Sequence, residues 1–179
     1  MVLNVKKGAY PSLIQIDKEA LLSASETHSV ERGSLLYLEA SSGEWRVAGA
    51  AQAGDTTHPG QFCYFAFQSD SDLTAQMAGG VPVSANQRPK LAGIACSPTI
   101  EIETDMFVGT APTLGQFMAA ADFGKLAVHA DGQTALLKVT RAPYVRWINN
   151  AVAVTGWRTG NNVTVVRGVT MYVPCMRNA

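Results

Sequence analysis

The segment Leu91–Phe107 reads LAGIACSPTIEIETDMF, and its second half alternates between apolar and acidic residues. The two rows are Ile100, Ile102 and Met106 on one parity, and Glu101, Glu103 and Asp105 on the other. Successive side chains of a β-strand point to opposite faces, so the alternation predicts a strand with one buried face. The acidic row is interpreted first as a solvated strand face. The alternative is a carboxylate cluster for metal binding or acid–base catalysis.

Composition indicates one domain with a sizeable core. The chain has 179 residues, of which 47% are hydrophobic and 16% are charged. Soluble domains carry roughly 25% charged residues, so we expect partners to cover part of this surface. The three cysteines lie in apolar contexts without CxxC spacing, which predicts buried free thiols rather than disulfides or a metal cage. No apolar run reaches the length of a membrane span or signal peptide, so we expect an intracellular origin.

Charge is distributed unevenly along the chain. Residues 1–107 contain 12 acids and 7 bases, a net charge of −5, whereas residues 108–179 contain 2 acids and 7 bases, a net charge of +5. Beyond Lys138 the only charged residues are five arginines. The favoured interpretation is that the two halves neutralise each other within one fold. The alternative is that complementary faces meet between neighbouring subunits.

The order of segments predicts an all-β chain. Tyr10-Pro11 favours extended backbone, so residues 1–22 are predicted to form an extended N-terminal arm and residues 23–179 a β-domain, with one helical turn at Asp17–Leu22. Ser69–Lys90 is predicted to be a long mid-chain loop. The predicted strands are Leu35–Leu38, Trp45–Val47, Phe62–Phe67 (fully buried), Gln116–Ala121, Ala135–Val139, Ala151–Trp157, Val163–Arg167 and Val169–Val173, with a hairpin turn at Thr159–Asn162. The predicted fold is a single β-sandwich or barrel-like domain.

A short repeat supports this prediction. The segment from Gly33 to Val47 aligns with the segment from Gly115 to Val128, at an offset of 82 for the first glycine and strand and 81 from the second glycine onwards. Both segments read as glycine, strand, glycine turn and strand. They predict two related hairpins in one β-domain.

Motifs of known chemistry are missing from the sequence. His28, His58 and His129 lie in unrelated contexts, and neither HExxH, GxSxG nor GxxxxGK[ST] occurs. We therefore expect no cofactor, no metal and no small-molecule substrate. Arginines alternate with aromatic residues in the last third, a pattern that also occurs in single-stranded nucleic-acid platforms. The zero net charge argues against nucleic acid and favours a protein interface.

The succession of segments resembles the capsid decoration (cement) proteins of tailed bacteriophages. The resemblance covers residues 28–140 and excludes Ser69–Lys90 and the arginine-rich end. Its cues are the polar extended start MVLNVKKGAYPSLIQ, Gly33-x-Leu35 with Gly43-Glu44-Trp45, the aromatic strand Phe62–Phe67, Leu91–Ile94 with Ile100–Phe107, and Gly115 with Gly124-Lys125-Leu126.

This resemblance implies a structural virion protein and not an enzyme. Such a protein is made in the host cytoplasm, lies on the outer capsid surface as a dimer or trimer, and bridges neighbouring major capsid proteins. A tail-tube or neck protein and a carbohydrate-binding β-sandwich, with Trp45, Trp147 or Trp157 as sugar platforms, remain alternatives. The predicted protein-interface residues are Val2, Leu3, Val5, Tyr10, Arg146, Arg158 and Arg167.

Overall fold

The computed structural model describes residues 3–7, 18–28, 30–56, 58–67, 90–96, 100–149 and 160–177. These residues form eleven strands and two short 3₁₀ turns, at Ala50–Ala53 and Asp122–Gly124, which confirms the all-β prediction. The strands are β1 (Leu3–Lys7), β2 (Lys18–Leu21), β3 (Leu35–Leu38), β4 (Trp45–Val47), β5 (Tyr64–Phe67), β6 (Lys90–Ala95), β7 (Glu101–Thr104), β8 (Phe117–Ala121), β9 (Lys125–Val128), β10 (Ala135–Asn149) and β11 (Gly160–Val173).

The strands form two antiparallel sheets with the same topology. One sheet has the order β2-β6-β5-β3-β4, and the other has the order β1-β7-β11-β10-β8-β9. If β2–β6 and β7–β11 are each numbered one to five along the chain, both sets of strands follow the order 1-5-4-2-3. The larger sheet has one more strand, β1, which lies next to β7. We call β2–β6 the first unit and β7–β11 the second unit. The chain therefore contains one five-stranded arrangement twice.

Backbone hydrogen bonds at the start of the two hairpins match position by position. The Gly33 N–H donates to the Ala66 carbonyl of β5 at 2.9 Å, and the Gly115 N–H donates to the Val139 carbonyl of β10 at 2.9 Å. In each case the same residue of β5 or β10 donates back to the carbonyl of the residue that follows the glycine, at 2.8 Å. The predicted pair of related hairpins is confirmed, and the equivalence extends to the neighbouring strand.

A glycine occupies the equivalent position in the last strand of each unit. Gly93 lies opposite Ala66, and Gly168 lies opposite Val139. A Cβ atom on Gly93 would lie 3.0 Å from the Trp45 ring, and one on Gly168 would lie 2.7 Å from the Leu137 side chain. A side chain at Gly93 would require the Trp45 ring to shift by a few tenths of an ångström, and one at Gly168 would collide with Leu137 and with the Lys138 carbonyl.

In each unit the segment that follows the first strand also pairs with the third strand. Leu22, which follows β2, forms a parallel bridge with Trp45 of β4, and Phe107, which follows β7, forms a parallel bridge with Leu126 of β9. Four interior positions of one unit correspond to four of the other, and all eight residues are at most 1% exposed. They are Leu36, Trp45, Ala66 and Leu91 in the first unit and Met118, Leu126, Val139 and Val166 in the second. The duplicated topology therefore carries a duplicated core.

The second unit covers the other face of the first sheet. Leu35, Phe65 and Ile94 on that face belong to one apolar cluster with buried residues of the second unit. The turn between β8 and β9 contributes to this contact, because the Gly124 N–H donates to the Ala48 carbonyl at 2.8 Å. The corresponding face of the second unit carries Phe117, Lys138 and Val169, which are partly or fully exposed. The two units therefore pack asymmetrically, and one face of the second sheet stays open to solvent.

Three sequence predictions differ from the structure. The helical turn at Asp17–Leu22 is wrong, because Lys18–Leu21 pairs with β6 as a strand, and a segment this short is a poor helix nucleus. Phe62–Phe67 is not fully buried, since Tyr64 and Phe67 are partly exposed. Gly160–Asn162 belongs to β11 and not to a turn.

Some predictions fall outside the described residues. These are the predicted strand Ala151–Trp157 and the predicted loop Ser69–Lys90, apart from Lys90, which begins β6.

Candidate functional site

The acidic row of β7 lies on the solvent side of the second sheet, facing arginines of β10 and β11. Glu101 accepts two hydrogen bonds from Arg167, from Nε to Oε1 and from Nη2 to Oε2, each at 2.8 Å. This fork-to-fork arrangement is the strongest geometry for an arginine–carboxylate pair. The Thr140 hydroxyl lies 3.4 Å from the same Oε1 atom.

Glu103 occupies a deeper position in the same row. Its side chain is 4% exposed, and its Oε2 atom accepts a hydrogen bond from Arg146 Nη1 at 2.6 Å. The Tyr144 hydroxyl donates to the other carboxylate oxygen. Burial of the phenol and its bond to the carboxylate both raise the pKa of Tyr144. The Arg141 guanidinium lies 4.5 Å from the centre of the Tyr144 ring, so the charged groups form one connected network.

Irregular pairing of β10 places these side chains on one face. The pairing of β10 with β11 shifts register between Val139 and Arg141 and again between Arg141 and Tyr144. Pro143 lies in the second irregularity, and proline is tolerated within a sheet mainly at bulges and edges because it lacks an N–H donor. A bulge changes which face later side chains occupy. It thereby brings Tyr144 and Arg146 to the side of Glu103.

The network neutralises two of the three acids of the row, Glu101 and Glu103, within the chain. Each of the two glutamates is bound to an arginine of the last third of the sequence, as the favoured interpretation of the charge asymmetry predicts. The predicted solvated face is wrong for Glu103, which is buried. Among the described residues, no group of three or more His, Cys, Asp or Glu side chains could hold a metal ion.

The structure brings some of the predicted interface residues together. Arg146 and Arg167 both lie in the network, and Leu3 and Val5 lie in β1, paired with Thr104 and Ile102 of β7. Val2, Tyr10 and Arg158 fall outside the described residues. The interface assignment itself stays a prediction, while the two described arginines already have intramolecular partners.

A cavity between the two units was not predicted from the sequence. It has a volume of about 340 Å³ and is lined by Thr27, His28, Glu31 and Ser34 of the first unit and by Met106, Phe123 and Lys125 of the second. The Phe123 side chain is 63% exposed, and its backbone has a φ of 61°, a conformation that is strained for a bulky residue. The His28 ring packs edge-on against the Phe123 ring at 5.3 Å. The only sequence feature that indicates the strained backbone at Phe123 is the Phe-Gly pair in a hairpin turn.

One buried carboxylate orients the imidazole of this cavity. Glu26 Oε1 lies 2.8 Å from His28 Nδ1 and also accepts the backbone N–H of His28 at 2.9 Å. An imidazole held by a carboxylate is one part of a hydrolase triad. No hydroxyl of the described residues hydrogen-bonds to His28 Nε2. Burial raises the pKa of Glu31 at the edge of the cavity.

Trp45 cannot serve as a sugar platform. Its side chain is fully buried, and its Nε1–H donates to the Leu91 carbonyl at 2.9 Å. The prediction of an exposed aromatic surface is therefore wrong for Trp45, while the Trp147 and Trp157 side chains lie outside the described residues.

Comparison with known proteins adds no relative. No family model matches the chain, and neither a curated protein nor a solved structure shows significant similarity to it. Within the described ranges, no helix has the length and apolarity needed to cross a membrane.

Proposed function

We propose that this chain is a structural virion protein that decorates the capsid and stabilises it by bridging neighbouring major capsid proteins. The proposal is supported by a rigid all-β architecture whose charged side chains bind one another. Cement proteins act through many modest contacts that are repeated over a shell, and such contacts add up by multivalency. The internal salt bridges make the second sheet a fixed platform for contacts of this kind.

The observation that carries the proposal is the projecting hairpin of β10 and β11. These strands have 15 and 14 residues. Among the described residues of the hairpin, only Leu137–Lys138 pair with β8 and only Val166–Val169 pair with β7. Among the described residues, the outer part of the hairpin from Val145 to Asn149 is paired only with β11. Isolated two-stranded ribbons are marginally stable in water, and Val145 is 63% exposed. A hairpin of this type is suited to lie against a neighbouring protein.

The experiment is a sedimentation assay with capsid shells that lack this chain. The purified chain is mixed with shells, the shells are pelleted, and the bound chain is quantified. The test variant replaces residues 148–161 with a two-residue Asn-Gly turn between Trp147 and Asn162, which face each other across the hairpin. It keeps Arg146 and the bond of Arg146 to the buried Glu103. A Leu114→Ser variant, which changes a 65% exposed side chain elsewhere, is the matched control.

We expect the wild type and the control to pellet with shells, and the shortened variant to fold but stay in solution. A shortened variant that pellets fully would show that the hairpin does not dock. Deletion of residues 1–15 should likewise abolish attachment if the N-terminal strand takes part. A wild-type chain that never pellets with shells but forms tubes or rings would contradict the decoration role and favour the tail-tube alternative.

A further inference from the structure

The turn between β8 and β9 holds the exposed Phe123 ring at the cavity between the two units. The residues on both sides of Phe123 are bound to the first unit. Asp122 Oδ1 accepts the Ala50 N–H at 3.0 Å, and the Gly124 N–H donates to the Ala48 carbonyl at 2.8 Å. The left-handed backbone of Phe123 is strained, and such strain persists only where surrounding contacts hold it. These contacts therefore fix a ring that is 63% exposed, and backbone strain of this kind is concentrated at binding sites.

The lining around this ring is mostly polar. Among the described residues that line the cavity, Phe123 and Met106 are apolar, and five carry hydrogen-bonding side chains: Thr27, His28, Glu31, Ser34 and Lys125. The buried Glu26 carboxylate lies 2.8 Å from His28 Nδ1 and fixes the orientation of this ring. Because Nδ1 donates to the carboxylate, Nε2 is an acceptor in the neutral imidazole. The lining thus offers donors and acceptors beside one exposed aromatic ring.

The chemistry of the lining selects the class of ligand. A wholly apolar ligand would take the polar groups out of water without replacing their hydrogen bonds, which is unfavourable. A ligand with a net charge would be attracted by one of Glu31 and Lys125 and repelled by the other. A neutral sugar ring avoids both penalties, because its hydroxyl groups donate and accept hydrogen bonds and its C–H groups pack against the negative face of an aromatic ring.

The size of the cavity suits a single ring. Its volume of about 340 Å³ lies at the lower end of the range for small-ligand sites, roughly 300–1,000 Å³. The lining residues come from both units, so the site exists only when the two units are packed against each other.

We propose that this cavity binds one neutral pyranose ring, with its C–H face against Phe123 and its hydroxyl groups bonded to Glu31, Lys125 and His28 Nε2. The site is separate from the tryptophan platforms that the sequence indicated. None of the described residues of the β10–β11 hairpin lines it. Sugar binding at this site is therefore independent of capsid attachment through the hairpin.

The test is an NMR titration of the isotope-labelled full-length chain, in which the amide shifts locate the bound ligand. The neutral probes are the methyl glycosides of glucose, galactose, mannose and N-acetylglucosamine. The anionic, cationic and apolar comparison probes are N-acetylneuraminic acid, glucosamine and phenol.

Two variants each remove one ring from the cavity. Phe123→Gly should fold, because glycine adopts the left-handed backbone without strain. His28→Ala removes the second ring and leaves the strained turn unchanged. The matched control is Leu114→Gly, which removes a 65% exposed apolar side chain away from the cavity. Thermal unfolding of every variant verifies that it is folded.

We expect at least one neutral probe to give saturable shifts at the amides of His28, Phe123 and Lys125, in the wild type and in the control. The affinity of Phe123→Gly for that probe should be about tenfold lower, which is equivalent to about 1.4 kcal/mol. His28→Ala should also bind it more weakly than the control does.

The proposal would be overturned by a wild type that gives no saturable shifts with any neutral probe, or by shifts confined to residues away from the cavity. Undiminished binding in a folded Phe123→Gly or His28→Ala variant would overturn it as well. A charged probe or phenol that binds more tightly than every neutral sugar would contradict the assigned class of ligand. Shells are absent from this assay, so its failure is distinct from failure of the decoration role.

Discussion

Replacement of Glu26 by glutamine should destabilise the fold, because its buried carboxylate accepts several hydrogen bonds. The Glu26 side chain is 3% exposed. Its Oε1 atom accepts hydrogen bonds from the backbone of Thr27 and His28, and its Oε2 atom accepts the Val47 N–H at 2.8 Å and Arg46 Nε at 3.3 Å. The carboxylate therefore ties the loop before β3 to strand β4.

The expected magnitude follows from these donors. In Glu26→Gln one carboxylate oxygen becomes an NH₂ group. In one orientation of the amide the NH₂ group faces the N–H donors of Thr27 and His28, and in the other it faces those of Val47 and Arg46. A hydrogen bond to a charged group contributes about 1.5–3 kcal/mol, and a buried donor left unpaired costs about 1–3 kcal/mol. We expect a loss of about 2–4 kcal/mol. At about 2–4 °C per kcal/mol for a chain of this size, the melting temperature should fall by about 5–15 °C.

The effect should depend on pH. Burial alone would raise the pKa of Glu26, but the N–H donors of His28, Val47 and Thr27 outweigh it and hold the pKa below 4.5. A carboxyl group whose pKa is lowered by folding stabilises the protein above its unfolded pKa, and this contribution is lost as pH falls through the folded pKa. The difference between wild type and Glu26→Gln should therefore be largest near neutral pH and shrink below about pH 4.5.

Guanidinium unfolding, followed by tryptophan fluorescence from pH 7 to pH 3, measures both effects. Glu39→Gln is the matched control, because Glu39 binds the same Arg46 at 3.3 Å but is 33% exposed. An exposed pair contributes about 0–1 kcal/mol. Equal stability of the two variants at pH 7 would show that the buried carboxylate of Glu26 contributes no more to folding than the exposed one of Glu39.

Three further outcomes are expected. Burial and the bond to Glu103 raise the pKa of Tyr144, so the protonated phenol stabilises the fold below the pKa of a free phenol. This stabilisation is lost as pH rises through the pKa of Tyr144 in the folded protein. The loss of stability at alkaline pH, measured by urea titration, should be smaller in Tyr144→Phe. Gly168→Ala should destabilise the fold by about 1–3 kcal/mol in calorimetry, since its Cβ would lie 2.7 Å from a leucine side chain; wild-type stability would contradict the observed packing. Burial raises the pKa of Cys63 to about 12 and also that of Cys96, so a thiol reagent should modify neither until the protein unfolds.

The sequence was most informative where local pattern determines structure. Alternation identified β7 and its buried side, and Ile102 and Met106 are 1% and 3% exposed. Glycines at hairpin turns identified both hairpins, because Gly43 and Gly124 adopt positive φ angles that other residues avoid. The alanine-rich segment before Gly124 was correctly assigned to a strand.

Features that depend on distant residues were missed. The burial of Glu103 comes from Tyr144 and Arg146, which lie 41 and 43 positions away in sequence. The length of β10 was missed because bulges around Pro143 interrupt the period of two. The full duplication was hidden because equivalent core positions hold different residues, such as Trp45 and Leu126. Apolar volume is retained at these positions while residue identity is not.

The proposed position of this chain on the outer capsid surface is tested most directly by imaging the particle that contains it. Electron cryomicroscopy at side-chain resolution would give the position and copy number of the chain. We expect many copies spread over the outside of the shell, each with its β10–β11 hairpin against neighbouring coat subunits. Copies confined to the tail or neck, or a complete particle without the chain, would contradict it.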